Sequence, residues 1–270
     1  MSNIGRSYSS LNQALNVGSN LVYRISCIVA KCLLNNVEMM KIIKMNNILR
    51  SIGYISLPSN FFDTFKIVKR YIYRKTRDAL IFERNNKVIQ GLLENGHKIN
   101  LELGAGGRKI DGWTSIDFDK DSDIVMDLSS PLPFPDNTVT QIYASHLLEH
   151  FYYPDLMQLI YECYRVLKPG GILTVAVPNA RIYLDAYQNP EKFDSNYYCR
   201  WKPGFHYNTK MDYVNYIAYM GGHHRYMFDE ENLLLILSKP GFESVKIREF
   251  DPDLDLEQRS YESIYAEATK

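Results

Sequence analysis

The segment Ile99-Asn-Leu-Glu-Leu103, followed at once by Gly104-Ala-Gly-Gly107, limits the folds open to this chain more than any other stretch. Alternating apolar residues read as a short strand, and the glycines after it let the backbone turn sharply and be approached closely. A second strand, Trp113-Thr-Ser-Ile-Asp117, follows after only a few residues. A strand, a glycine turn and a strand ending in an acid fit an open α/β sheet that binds its ligand at the carboxyl ends of its strands.

The pattern continues to residue 270. Asp123–Asp127 predicts a third strand and Thr138–Ser145 a fourth. Asp155–Leu167 predicts an amphipathic helix, with Leu156, Leu159, Ile160, Cys163 and Tyr164 on one face. Lys168-Pro-Gly-Gly171 is expected to stop that helix, and Ile172–Val177 reads as a buried strand. Phe228–Leu237 predicts a helix with Asp229, Glu230 and Glu231 at its start, where the macrodipole favours acids. Gly241–Phe250 and Tyr261–Thr269 read as closing strands. The expected fold class is therefore α/β, a Rossmann-like, mostly parallel sheet with an antiparallel closing strand.

The first 97 residues have another texture. Apolar residues recur at helical spacing in Leu21–Leu34 and Val37–Leu49, and Pro58 marks a break. Phe62–Leu93 predicts a helix with Lys66, Lys69, Arg70, Arg74 and Lys75 among its basic residues. Gly91 and Gly96 are expected to flank its end, with Asn95-Gly96 as a left-handed cap. The expected organisation is a basic helical extension, 1–97, before a domain over 98–270.

Charge supports that division. Over the whole chain 31 Lys and Arg balance 31 Asp and Glu. Residues 1–98 nevertheless hold 15 basic against 5 acidic residues, and residues 99–270 hold 16 against 26. Asymmetry of this kind points to different partners for the two parts. Apolar residues make up 46%, enough to exclude disorder of the whole chain. Leu21–Leu34 carries Arg24 and Lys31 and falls short of the roughly 20 residues a spanning helix needs. No secretory signal is read at Met1-Ser-Asn-Ile-Gly-Arg6. Four cysteines without C-x-x-C spacing point to a reducing compartment. The expected location is cytoplasmic.

The residues at the strand ends carry the chemistry. The dinucleotide fingerprint G-x-G-x-x-G fails at Lys109, and no G-K-[ST] follows, so the turn does not read as a phosphate loop. Asp117 ends the second predicted strand, where an acid can accept both hydroxyls of a ribose. Asp127 ends the third. Either aspartate alone also suits a cap or turn, but with Glu102 they give the ligand edge an acidic lining. Such a lining favours a nucleoside carrying a cation, as S-adenosylmethionine does with its sulfonium and ammonium.

In order, Leu101–Gly107, Trp113–Asp117, Pro131-Leu-Pro-Phe-Pro-Asp-Asn-Thr-Val139, Ser145-His-Leu-Leu-Glu-His150 and Arg165-Val-Leu-Lys-Pro-Gly-Gly171 resemble class I S-adenosylmethionine-dependent methyltransferases. The likeness is strongest to a type 11-like group associated with bacterial surface polysaccharide synthesis. It takes in 98–270, including His224-Arg-Tyr-Met-Phe-Asp229 and Tyr261–Ala268. It implies that Gly104, Ala105 and Gly106 cradle the methionine part of S-adenosylmethionine and that Glu102 reaches its ammonium. Asp117 would hold the ribose, Asp127 and Leu128 would border the adenine, and Ser145 would stand near the methyl group. Two departures from the pattern stand out. Arg108 follows Gly107 where the third glycine is displaced, and Gly106 to Asp117 leaves little room for a first crossover helix.

Methyl transfer to a hydroxyl needs a proton acceptor, and histidine suits that task near neutral pH. His146 is the first candidate and His150 the second; both also read as structural residues. Their i, i+4 spacing suits a metal, but no H-E-x-x-H is present and no metal is expected. His223 and His224 precede the last helix and suit either the lining of the acceptor pocket or a cap, with capping the preferred reading for His224.

Residues 181–226 are too long for a plain connection and hold many tyrosines, among them Tyr183, Tyr197, Tyr207 and Tyr216. They suit either a glycan acceptor or a small helical core of their own. Arg181, Arg200, Lys202 and Lys210 could meet an acidic group on the acceptor. The expected partner is a small-molecule or glycan acceptor. The basic N-terminal part suits a solvated face, the acidic domain or an anionic inner membrane face. No specific nucleic acid is expected. The competing functions are methyl transfer to a small molecule or RNA, and a silent domain that only binds.

Overall fold

A computed structural model describes residues 59–94 and 98–270 of the chain. The helices expected over 21–34 and 37–49, the break at Pro58 and the Asn95-Gly96 cap lie outside the described residues. Among the described residues no helix is long and apolar enough to cross a membrane.

The chain runs α1 (Ser59–Glu94), β1 (Asn100–Leu103), β2 (Thr114–Asp117), β3 (Ile124–Val125), β4 (Val139–Ser145), α2 (Tyr153–Val166) and β5 (Leu167–Pro178). It continues through α3 (Ala180–Gln188), α4 (Ser195–Tyr198), α5 (Met211–Tyr219), α6 (Glu230–Ser238), β6 (Ser244–Ile247) and β7 (Ser263–Thr269). Residues 81–270 form one compact unit. Its seven strands lie in the order β3-β2-β1-β4-β5-β7-β6, with β7 antiparallel to both its neighbours and all other pairs parallel. This is the predicted fold class. The order reverses between β1 and β4, so the crevice beyond their carboxyl ends is the topological switch point where such sheets bind ligands.

The elements form for local reasons. Leu156, Leu159, Ile160, Cys163 and Val166 recur on one face of α2 and are all buried in the main core. Pro154 starts α2 two residues before the predicted boundary, because proline fits the first helical turn. Lys168-Pro-Gly-Gly171 does not stop the helix as expected. The chain passes from Val166 into β5 at Leu167, and those four residues form an irregularity where the register shifts against Val139 and Gln141.

No helix joins β1 to β2, as the short spacing implied. The last turns of α1 pack there instead, with Ile89 buried in the core and Val88 and Leu92 against it. The side chain of Asn85 pairs with Val125 of the edge strand in both directions: its Nδ2 donates to the carbonyl at 2.8 Å and its Oδ1 accepts the amide at 3.1 Å. An edge that would expose unpaired backbone is thereby closed. Helix α1 runs through Gly91 and ends at Glu94, between Gly91 and Gly96 as expected.

The insertion forms a core of its own. Tyr183, Ala186, Cys199, Tyr213, Tyr216 and Ile217 are buried together across α3 to α5. The reading of these tyrosines as a packing set therefore holds for Tyr183, Tyr213 and Tyr216, whereas Tyr197, Tyr207 and Tyr219 are exposed.

Candidate functional site: a glycine turn beside a histidine–carboxylate cavity

Strand β1 delivers Glu102 and the glycine turn to the switch point. Gly104, Gly106 and Gly107 all have positive φ, at 70°, 55° and 85°. A Cβ on Gly104 would stand 2.7 Å from Leu147 Cδ1, whereas one on Gly106 or Gly107 would meet nothing within 4 Å. The turn is thus tight on its inner side and bare on its outer side. Asp117 is buried at the end of β2, where its Oδ2 accepts the Gly106 amide at 2.9 Å and its Oδ1 the Asp119 amide at 3.0 Å. Ala105 is buried within the turn, and its carbonyl accepts the Arg108 amide.

Glu102 is 3% exposed, and its Oε2 has no hydrogen-bond partner. The guanidinium of Arg108 stands 3.6 Å from its Oε1. Burial nevertheless prevails over Arg108 and Lys109 and pushes the carboxyl up to about 7. A buried carboxylate oxygen without a partner beside a bare turn is suited to a cationic ligand.

The remaining predicted cofactor residues sit as follows. Strand β3 ends at Val125 rather than at residue 127, so Asp127 lies two residues beyond it. Its exposed carboxylate accepts from Ser129 N and Oγ at 2.9 and 2.7 Å, which holds it below the usual range. Leu128 is buried in the main core. Ser145 is the last residue of β4 and pairs with Ala176.

Beyond β4 the chain turns through His146, a non-glycine residue at φ 48°, which costs on the order of 1–3 kcal/mol and is held by its amide bonding Ala176 O at 2.8 Å. A short 3-10 turn, Leu148–His150, follows. This segment forms one wall of a cavity of about 530 Å³. His146, Glu149, His150 and His224 stand on one side of it, and Trp201, Arg259, Tyr261 and Glu262 also line it.

The hydrogen bonds fix the ring tautomers. His150 Nδ1 lies 3.0 Å from the His223 carbonyl and His224 Nδ1 lies 2.8 Å from the Ile217 carbonyl. A carbonyl only accepts, so both Nδ1 atoms carry hydrogen and both Nε2 atoms keep lone pairs. The Ser263 hydroxyl donates to Arg259 O at 2.7 Å, so it accepts from His146 Nε2 at 2.8 Å. His146 Nδ1 then turns its lone pair toward Glu149 Oε1, 3.5 Å away.

Glu149 is 2% exposed and neither carboxylate oxygen has a hydrogen-bond partner, so burial pushes it up to about 8. Burial likewise holds His146 and His150 below the usual imidazole range and His224 down to about 4. Glu262 is also buried and raised, but it accepts from Tyr183 OH at 2.5 Å and Tyr261 OH at 2.9 Å.

Two readings of this region need correcting. His224 does not cap the last helix: Asp229 does, accepting the Asn232 amide at 2.8 Å, while His224 is buried at the cavity. Of the four basic residues expected near the acceptor, Arg200 alone lines the cavity. Arg181 pairs with Asp185, Lys202 lies over Phe205 and Lys210 over Tyr187. Arg259, Glu262 and the central position of Glu149 were not expected. The signal for Glu262 is an acid set in the apolar run Ile264–Ala266 and its neighbours; for Arg259 no local signal exists.

Residues 113–175 match the model of the methyltransferase domain family. Over 48 residues the chain is 42% identical to a Mycolicibacterium smegmatis protein named "Probable S-adenosylmethionine-dependent methyltransferase". That stretch is 18% of this chain and 18% of the relative, so the likeness spans under a fifth of the relative's length. Among solved structures, the chain is similar to an S-adenosylmethionine-dependent methyltransferase of Archaeoglobus fulgidus, at 17% identity and a TM-score of 0.41, covering 74% of this chain and 99% of that one. A counterpart from Mesorhizobium loti gives 16% identity and a TM-score of 0.42, covering 68% and 96%. These structural likenesses are slight, and the sheet order carries the fold without them. Sheet order and the match over 113–175 are both those expected of a class I, S-adenosylmethionine-dependent methyltransferase domain.

Proposed function

We propose that the chain transfers the methyl group of S-adenosylmethionine to a hydroxyl oxygen of a sugar or glycan acceptor. The supporting observation is that one short segment, Ser145–His150, borders two sites at once. Leu147 packs against the inner side of the glycine turn, while His146, Glu149 and His150 on either side of it face the cavity. A cofactor in the turn and an acceptor in the cavity would therefore meet at this segment, the arrangement an in-line displacement requires.

When bound, S-adenosylmethionine supplies an electrophilic methyl carbon on a sulfonium. The turn Gly104-Ala105-Gly106 offers it bare backbone, and Glu102 answers its ammonium. Asp117 keeps acceptor capacity for a ribose beyond its two backbone bonds. With Leu128 packed in the core, Asp127 is the exposed polar group on the adenine flank. As the new C–O bond forms, the acceptor loses its proton. His146 is the first candidate to take it and His150 the second, since burial keeps both imidazoles neutral.

The sugar assignment rests on the cavity's size and lining. About 530 Å³ lies within the range of small-ligand sites. Trp201 and Tyr261 give the lining aromatic surface for a sugar, with the Arg200 guanidinium 3.7 Å over the Tyr261 ring, and Arg200 and Arg259 suit an acceptor bearing carboxylate or phosphate. A cytoplasmic protein touching an anionic inner membrane face is the reading for the N-terminal part, carried by the basic sequence Phe65–Lys75.

Calorimetry with S-adenosylmethionine and S-adenosylhomocysteine tests the cofactor; no heat with either at millimolar ligand would end the proposal. A radiolabelled methyl screen against nucleotide sugars, glycans and RNA tests the acceptor. Label in RNA alone would move the chain to the competing class, and binding without transfer would make it a silent domain. Sedimentation with anionic liposomes, of the full chain against a fragment starting at Ile81, tests the membrane role; equal behaviour would remove it.

A further inference from the structure

We propose that Glu149, His150 and His224 bind a divalent transition-metal ion, of the Zn²⁺ class, in the wall of the cavity. One ligand atom from each of the three residues lies within 4.8 Å of the others. A carboxylate with two imidazoles is a donor set that zinc uses in catalytic sites, where a fourth position stays open.

The hydrogen bonds argue for a cation at this point. His150 and His224 both spend their Nδ1 hydrogens on backbone carbonyls, which fixes the rings and leaves each Nε2 with a lone pair. Outer contacts of this kind orient metal-bound imidazoles. His150 Nε2 stands 3.8 Å from Glu149 Oε1, and His146 Nδ1, also a lone pair, stands 3.5 Å from the same oxygen. Glu149 therefore faces acceptor atoms from several directions with no donor for either oxygen, although it is almost completely buried. A group of acceptors facing one another in a buried place repels itself unless a cation or the carboxyl's own proton sits between them. Among the described residues neither Arg200 nor Arg259 of the cavity lining makes a salt bridge to Glu149.

The spacing is open for a closed site. A tetrahedral zinc with ligands at about 2.0–2.1 Å has ligand atoms about 3.3 Å apart, so side chains whose ligand atoms lie up to 4.8 Å apart must draw together by up to about 1.5 Å. His150 can make that movement because its side chain is 42% exposed. The ion's fourth position would face the cavity, where it could take the acceptor oxygen and ease loss of its proton. That role rests on the methyltransferase reading of the cavity; binding of the ion does not. His146 would then remain as the proton acceptor.

The test is metal binding by the untagged full chain after dialysis against a chelator. Calorimetry with ZnCl₂ should give one ion per chain, and Co²⁺ should give the visible absorption bands of a low-coordinate site. Glu149→Gln, His150→Ala and His224→Ala should each weaken Zn²⁺ binding by roughly tenfold to a hundredfold or more, the scale of a disrupted metal shell. Circular dichroism checks the buried Glu149 and His224 variants for folding. The half-exposed His150 variant decides the matter if they unfold. Absence of Zn²⁺ and Co²⁺ binding at micromolar ion, or binding that survives His150→Ala unchanged, would overturn the proposal and leave a shared proton on Glu149 as the cation. S-adenosylmethionine binding, titrated separately, distinguishes this failure from failure of the methyltransferase reading.

Discussion

The carboxylate of Asp117 accepts the amide hydrogen of Gly106 at 2.9 Å, so the residue that closes β2 also holds the turn that closes β1. One side chain thereby shapes the cradle and lines it. With no helix between the two strands, this bond and that of the Gly104 amide to Ile116 O at 2.9 Å tie the turn directly to β2.

Asp117→Ala should therefore lose more than a ribose contact. The charge-assisted bonds to two amides are each worth at most about 1.5–3 kcal/mol, and a melting temperature several degrees lower is expected. Titration with S-adenosylmethionine should show weakened binding, whereas Asp117→Asn should recover part of the stability. Unchanged affinity in the alanine variant would remove Asp117 from the cofactor site.

Gly104 is the turn position least open to change. Gly104→Ala combines a positive φ with a Cβ 2.7 Å from Leu147 Cδ1 and should destabilise by about 1–3 kcal/mol. Trimming the neighbour in Gly104→Ala/Leu147→Ala should relieve the clash with Cδ1 but not the backbone strain. Denaturant titration of the single and double variants separates the two contributions.

If Glu102 answers the ammonium as proposed, it should link S-adenosylmethionine binding to pH. Its carboxyl, at about 7 in the folded chain against an ordinary 4.5, keeps its proton over a range where the unfolded chain has lost it. Stability should accordingly fall as pH rises from 4.5 to about 7 and level off above, because the folded state binds the extra proton. A cationic ligand favours the ionised form, so S-adenosylmethionine should bind more tightly at pH 7.5 than at pH 6, with proton release. This window lies below the range of about 7.7–8.0 where an α-amino group titrates. Calorimetry in buffers of different ionisation heat measures the release. Glu102→Gln should abolish it, and a pH-independent affinity in the native chain would contradict the assignment.

The fragment 98–270 should fold poorly, while 81–270 should fold well. Cutting at residue 98 removes Ile89 from the core and exposes the β3 edge that Asn85 pairs. Circular dichroism and thermal melting of the two fragments compare them directly. Equal stability would restore a domain boundary at residue 97.

Local chemistry made the ligand edge legible. Glycines in a turn, an acid at a strand end and an apolar face at helical spacing act over a few residues, so Gly104–Gly107, Asp117 and α2 were found where they were sought. Boundaries slipped where a neighbour decided them. Pro154 pulled the start of α2 forward, and pairing with Val139 drew Leu167 into β5. The cavity was least legible because it is assembled from distant segments. His224 sits next to a helix in sequence, yet its ring turns the other way, to the carbonyl of Ile217 in α5. Arg259 and Glu262 reach the cavity from more than 100 residues beyond Glu149, and no periodicity marks them. Glu149 itself looked like a neighbour of His150; only three-dimensional burial shows that it has no partner.

The wall Ser145–His150 has one more consequence. If the turn takes the cofactor and the cavity the acceptor, this shared part is where one ligand would act on the affinity for the other. Whatever factor a filled turn applies to the affinity for acceptor, a filled cavity must apply to the affinity for cofactor, in the same direction and to the same degree. On that reading order of addition is a matter of rates, while the mutual preference of the two ligands is a single number that either titration can read.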